Sequence, residues 1–175
     1  MPTPQVGIVM GSDSDLPVME EAARVLRDFG VPYEMTISSA HRAPKRTAEY
    51  AETAKARGLK VLIAGAGGAA HLAGVLAAET TLPVIGIPID SSALKGLDAL
   101  LATVQMPGGV PVATMAIGKA GARNAGLLAV QILALSDEQL AQRLDEYKER
   151  LAREVEEKGR RLAERGGTAE SRAYL

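Results

Sequence analysis

Four short apolar runs, bounded by Gly or Pro, constrain this chain more than any other feature: Val6-Gly-Ile-Val-Met10, Val61-Leu-Ile-Ala64, Val84-Ile-Gly-Ile87 and Val112-Ala-Thr-Met-Ala116. Runs so short and so continuously apolar suit strands covered on both faces, hence a parallel sheet with helices on either side. Tyr33-Glu-Met-Thr-Ile37 instead alternates polar and apolar residues, the pattern of a less buried strand, and belongs at a sheet edge. Helical spacing links Leu16, Met19, Ala23, Leu26 and Phe29, ending at Gly30, and further helices are expected over Pro44–Arg57, Ala70–Glu79, Ser91–Thr103 and Lys119–Leu135. Strands alternating with helices make a three-layer αβα sandwich, and right-handed crossovers leave few topologies. Five strands with the second at the edge fit the flavodoxin-like order 2-1-3-4-5.

At 175 residues the chain is one domain with a real core. Ser136-Asp-Glu-Gln139 is a capping-box pattern opening a long charged helix over 137–165. At the standard rise per residue that helix is roughly 43 Å long, against a radius of gyration of about 16 Å for a compact chain of this size. Its narrow stripe of Leu140, Leu144, Tyr147, Leu151, Val155 and Leu162 suits either a helix packed on its own subunit or an oligomer arm. The expected division is an α/β catalytic domain over 1–136, the helix over 137–165 as part of the same domain, and a mobile tail over 166–175. Val61–Ala78 has only His71 as a polar residue, but its four glycines after a strand run argue for strand, loop and helix over a membrane span. The opening Met1-Pro-Thr-Pro has no basic region of the kind a signal peptide carries.

Composition removes several function classes. Aromatics are 3% of the chain, too few for base-stacking platforms. A formal charge of -1 gives no broad footprint for nucleic acid, so any anion must be held locally. Without cysteine there is no disulfide, thiolate metal site or thiol nucleophile, and a cytoplasmic setting is expected. Two histidines thirty residues apart make a poor metal site, and none is expected.

In open α/β sheets ligands bind beyond the carboxyl ends of the strands, where strand order switches. Three loops stand there. Gly11-Ser12-Asp13-Ser14-Asp15 offers hydroxyls and helix N-terminal amides for a phosphate and a carboxylate for sugar hydroxyls, or else an ordinary N-cap cluster. Ser38-Ser39-Ala40-His41-Arg42-Ala43-Pro44 sets a phosphate-shaped fork beside a group suited to proton transfer, or else is an ordinary surface His–Arg pair. Ala64-Gly65-Ala66-Gly67-Gly68-Ala69-Ala70-His71-Leu72 satisfies G-x-G-x-x-A, with Asp90 twenty residues on, so it reads as a weak dinucleotide fingerprint or as glycines admitting a planar ligand. Here His71 is either a satisfied loop histidine or a site residue. Gln105–Pro111 is a lid candidate, and Ile117–Asn124 leads into the fifth helix. No Walker A pattern and no G-x-S-x-G elbow occurs.

Five motifs in order carry a family resemblance: Gly11-Ser-Asp-Ser-Asp15, Ser39-Ala-His-Arg42, Ala64–Leu72, Val104-Gln-Met-Pro-Gly108 and Ala116-Ile-Gly-Lys-Ala-Gly-Ala122. Over residues 5 to 145 the chain closely resembles the class I N5-carboxyaminoimidazole ribonucleotide mutases, which make 4-carboxy-5-aminoimidazole ribonucleotide in purine biosynthesis. It departs from them at Ala43, where Thr is usual, and at Ala73, where Pro is usual, positions that bear on loop geometry. The resemblance implies that Ser12, Ser39 and Arg42 meet the substrate phosphate, Asp15 the ribose hydroxyls and Ser14 the carboxylate. It further implies that Ala66, Gly67 and Leu72 line the base pocket with His71 beside it, and that His41 is the general acid/base. It implies a homo-octamer, supply of the carbamate by an ATP-dependent synthetase, and no cofactor or metal. Arg42 after His41 favours class I over the class II direct carboxylases, which typically carry Lys there. The other rival is a non-catalytic dinucleotide- or flavin-binding module using Gly65–Ala70.

Overall fold

The structure, a computed structural model, describes residues 3–165; the expected mobile tail and the first two residues lie outside them. Five parallel strands form one sheet in the order β2-β1-β3-β4-β5. They are β1 (Val6–Met10), β2 (Tyr33–Ile37), β3 (Val61–Gly67), β4 (Val84–Ile89) and β5 (Ala113–Thr114). Helices α1 (Leu16–Asp28), α2 (Pro44–Ala54), α3 (Leu72–Glu79), α4 (Leu97–Val104) and α5 (Lys119–Ala134) follow the strands in turn, and α6 (Glu138–Arg165) follows α5. Both the flavodoxin-like order and the edge position of β2 agree with the sequence reading.

Every residue of β1 is buried, as is Val61–Gly65 of β3 and all of β4. One side of the sheet packs Val9, Leu62 and Ala64 with Ala51, Ala54, Leu72 and Leu76 from α2 and α3. On the other side Met19 of α1 lies against Gly65, where a Cβ would collide with its thioether. Fully buried Ile8, Leu62, Ile63, Leu76 and Ile85 each contribute about 1.5–3 kcal/mol through removal from water. Helix ends are closed by backbone geometry. Gly30 (φ 68°) lets the Val31 N–H reach the Leu26 carbonyl and its own N–H reach Arg27, a Schellman motif, and Gly58 (φ 95°) closes α2 through Leu59 and Ala54 in the same way.

Several boundaries differ from expectation for identifiable reasons. β3 does not stop at Ala64: Gly65, Ala66 and Gly67 pair with Ile87, Pro88 and Ile89 of β4. The glycines of the dinucleotide fingerprint therefore belong to the sheet, and only Gly68 turns the chain, at φ 57°. α3 accordingly begins at Leu72, two residues later than expected. α4 begins at Leu97, not Ser91, because Lys95 (φ 50°) and Gly96 (φ 85°) are left-handed and residues 93–96 form turns. β5 is only two residues long and partly exposed, since as an edge strand it pairs with β4 alone. The cap of α6 falls one residue later than expected: the Asp137 carboxylate accepts from the Gln139 and Leu140 amides.

The chain divides into two units, the first ending at Leu133 and the second beginning at Ala134. Within the second, Leu140 is buried, Leu144 and Tyr147 half-buried, and Leu151, Val155 and Leu162 exposed. Among the described residues no helix is long and apolar enough to cross a membrane.

Candidate functional site

The loops after β1, β2 and β3 meet at the carboxyl edge of the sheet around a cavity of about 350 Å³. Parallel pairing in register brings them together: Met10 lies opposite both Ile37 and Gly65, so β1 and β2 end at one level and β3 continues two residues beyond them. All ten residues singled out from the sequence line this cavity: Ser12, Ser14 and Asp15 from the first loop, Ser39, His41 and Arg42 from the second, Ala66 and Gly67 from the end of β3, His71 from the third loop and Leu72 from the start of α3.

In the first loop the N-cap reading is correct as far as it goes. Ser12 and Asp15 form a reciprocal capping box around a 3₁₀ turn at Asp13–Asp15, with the Ser12 N–H donating to Asp15 Oδ2 at 3.1 Å. The Asp13 carboxylate accepts from Ser12 Oγ and from the Ser14 N–H, which tightens the same turn. Asp15 is 5% exposed. Burial raises its carboxyl above the ordinary value of 3.8, opposed in part by the backbone N–H groups of Ser12 and Gly11. A carboxylate buried at a cavity wall has acceptor capacity that a ligand hydroxyl can use.

The second loop is fixed from below and leaves its functional tips outward. The Ser38 N–H donates to Met10 O, and the buried Ser38 hydroxyl shares a 2.8 Å hydrogen bond with Thr47 of α2. The Arg42 N–H and Nε both donate to Ser39 Oγ, and its terminal NH2 donates to the Gly11 carbonyl at 3.0 Å. Its guanidinium thus bridges the first two loops and holds them in a fixed relation, which a lysine's single ammonium cannot reproduce.

Through its extension past Ala64, β3 carries the third loop far enough to set His71 against His41. Their Nε2 (His41) and Nδ1 (His71) atoms lie 2.8 Å apart, with ring planes at 78°. His71 sits immediately before α3. The hydrogen-bond partner of His71 is thus the other histidine of the chain.

Sequence reasoning missed four lining residues: Gly11, Ala40, Ala69 and Ser91. Ser91 is the informative one. It follows β4, whose Ile89 pairs with Gly67, and a Cβ on Gly67 would collide with its hydroxyl. No sequence signal marks Ser91, because it reaches the cavity through the pairing of Gly67 with the end of β4. Gln105–Pro111, Ile117–Asn124 and Asp90 contribute nothing to the lining of this cavity. No group of three or more His, Cys, Asp or Glu among the described residues gathers to hold a metal ion.

Comparisons with known proteins identify the family. A sequence model of the family described as AIR carboxylase matches residues 5–154. The chain is 60% identical to the N5-carboxyaminoimidazole ribonucleotide mutase of Pyrococcus horikoshii over 163 residues, 93% of this chain and 91% of that one. It is also 60% identical to the enzyme of that name from Bacillus subtilis over 159 residues, 91% of this chain and 98% of that one. The phosphoribosylaminoimidazole carboxylase of Candida albicans is 54% identical over 164 residues, 94% of this chain but 28% of that longer protein. Among solved structures, Treponema denticola PurE superimposes with a TM-score of 0.82 at 30% identity, covering 91% of this chain and 98% of that one. The chain belongs to the AIR carboxylase family.

Proposed function

We propose that this protein is an isomerase that converts N5-carboxyaminoimidazole ribonucleotide to 4-carboxy-5-aminoimidazole ribonucleotide in purine biosynthesis, with His41 as general acid/base. The observation that carries this reading is the meeting of all ten residues on one cavity, with His41 and His71 in contact across it. Relatives named for this reaction at 55–61% identity support it further.

The chemistry needs few groups. A proton delivered to the carbamate nitrogen breaks the N–C bond and releases CO2, leaving an aminoimidazole whose C4 is an enamine-type nucleophile. Attack of C4 on the same CO2 forms the new C–C bond, and loss of the C4 proton restores the aromatic ring. One base that gives the first proton and takes the last is sufficient, and His41 fills both roles. Ser12, Ser39 and Arg42 hold the phosphate, Asp15 the ribose hydroxyls and Ser14 the carboxylate. Ala66, Gly67 and Leu72 form the wall for the planar base, with His71 beside it. The small residues of that wall let backbone approach the ring closely. Positioning and exclusion of water keep CO2 near C4. The reading requires no cofactor.

The same reading includes a homo-octamer, supply of the labile carbamate by an ATP-dependent synthetase, and a cytoplasmic setting. Self-association is supported by exposed Leu97, Leu101 and Val104, spaced four and three residues apart on α4. Cysteine-free composition suits a reducing compartment.

The test is incubation of purified protein with freshly prepared carbamate and no ATP. Formation of the 4-carboxylate at a rate proportional to enzyme supports the reading; spontaneous decay alone refutes it.

A further inference from the structure

A second cavity of about 390 Å³ adjoins the first and shares Gly11, Ser12, Ser39 and Arg42 with it. Its other charged residues are Arg46 and Asp13, so it carries two guanidinium groups against one carboxylate. The Asp13 carboxylate is already engaged by Ser12 Oγ and the Ser14 N–H. Arg46 is the third residue of α2, and Cα–Cβ bonds in a helix tilt toward its N-terminus, here the end that follows Arg42. One terminal nitrogen of Arg46 donates to Thr36 Oγ1 on β2 at 3.4 Å. That contact uses one of five N–H donors and leaves the fork able to take another acceptor.

The charge balance explains why such a group is needed. A substrate phosphate carries about -1.5 to -2 at neutral pH, and the carbamate adds one more negative charge. Apart from the histidines, the charged side chains of the first cavity are Asp15 and Arg42, which cancel. We propose that Arg46 is a second phosphate-recognising arginine, whose cavity receives the 5′-phosphate of the incoming ribonucleotide and passes it to Arg42. A charge at the rim of a site acts mainly on encounter, is screened by salt, and leaves the chemical step alone.

This inference rests on the proposed function, and binding of the product separates the two. Calorimetric titration with 4-carboxy-5-aminoimidazole ribonucleotide and with the corresponding riboside, which lacks the phosphate, is done on wild type, Arg46→Gln and Arg46→Lys at low and high KCl. For Arg46→Gln the inference predicts a Kd for the ribonucleotide raised about three- to tenfold at low salt, a gap that narrows at high salt, and no change for the riboside. Arg46→Lys should recover most of the affinity, and kcat should stay within about twofold in Arg46→Gln. An unchanged ribonucleotide Kd in Arg46→Gln, or an equal loss for the riboside, overturns the inference while leaving the function standing. A wild type that binds neither compound overturns both. Arg46 is exposed, so a matching far-UV spectrum is expected for both variants.

Discussion

His41 Nε2 and His71 Nδ1 approach to 2.8 Å although thirty residues separate them, and they are the two histidines of the chain. At that distance one ring nitrogen donates a hydrogen bond and the other accepts it. Both rings line the cavity, and under the proposed function a proton held at this contact stands where the carbamate nitrogen and then C4 would need it.

His41→Asn should lower kcat by about 10²–10⁴, the usual contribution of a general acid/base, while ribonucleotide binding stays close to wild type. His71→Ala removes the hydrogen-bond partner of His41, worth about 0.5–1.5 kcal/mol, and should cost about two- to tenfold. Steady-state rates together with titration calorimetry check both. A His41→Asn enzyme with near wild-type turnover, or a His71→Ala enzyme as inactive as His41→Asn, contradicts the division of roles.

Arg42→Ala should mainly weaken binding. It removes the guanidinium proposed to meet the phosphate and also the link from the second loop to the Gly11 carbonyl, a loss of about 1.5–3 kcal/mol, or roughly ten- to a hundredfold in Kd. Arg42→Lys restores the charge but not the fork, and should recover only part of this. Wild-type affinity in Arg42→Ala would remove Arg42 from the phosphate site.

Asp15 links stability to pH. Burial raises its carboxyl above 3.8, so just above that pH the folded chain holds more proton than the unfolded one, and stability falls as pH rises through the folded-state value. Past that point the ionised, buried carboxylate is a standing cost to the fold. Asp15→Asn keeps an oxygen to accept from the Ser12 N–H, so its Tm at neutral pH should exceed that of wild type while ribonucleotide affinity falls. A lower Tm with unchanged affinity would make Asp15 purely structural.

Sedimentation tests the assembly. Full-length protein should sediment as eight subunits, and a chain stopped after Ser136 as a smaller or unstable species. A well-behaved full-length monomer refutes both the octamer and the role of the long helix in it.

The sheet was legible in the sequence because β1, β3 and β4 are buried on both faces and so exclude polar residues over their whole length. β5 and residues 91–96 misled for the same physical reason. Apolar letters recur in both, but an edge position leaves Val112–Ala116 with one partner strand, and the left-handed Lys95 and Gly96 break the helix that Leu94 and Leu97 suggest. Site residues were legible through their placement after β1, β2 and β3. The His41–His71 contact was not, because it depends on β3 continuing through Gly67, a segment that reads as loop when Gly65 and Gly67 are weighed by propensity alone. Ser91 was hidden for a related reason, since it reaches the cavity only because Gly67 pairs alongside β4.

Isotope partition in the first turnover tests most directly whether CO2 is retained and reattacked in place. Purified protein is mixed with the unlabelled carbamate in buffer containing ¹³C-bicarbonate and carbonic anhydrase, and the 4-carboxylate is analysed by mass spectrometry. Retention predicts a product whose carboxyl carbon is almost entirely unlabelled, formed without ATP. Label in the carboxyl group at the level of the bicarbonate pool, together with equally fast conversion of aminoimidazole ribonucleotide at low bicarbonate, would contradict it and mark the protein as a direct carboxylase.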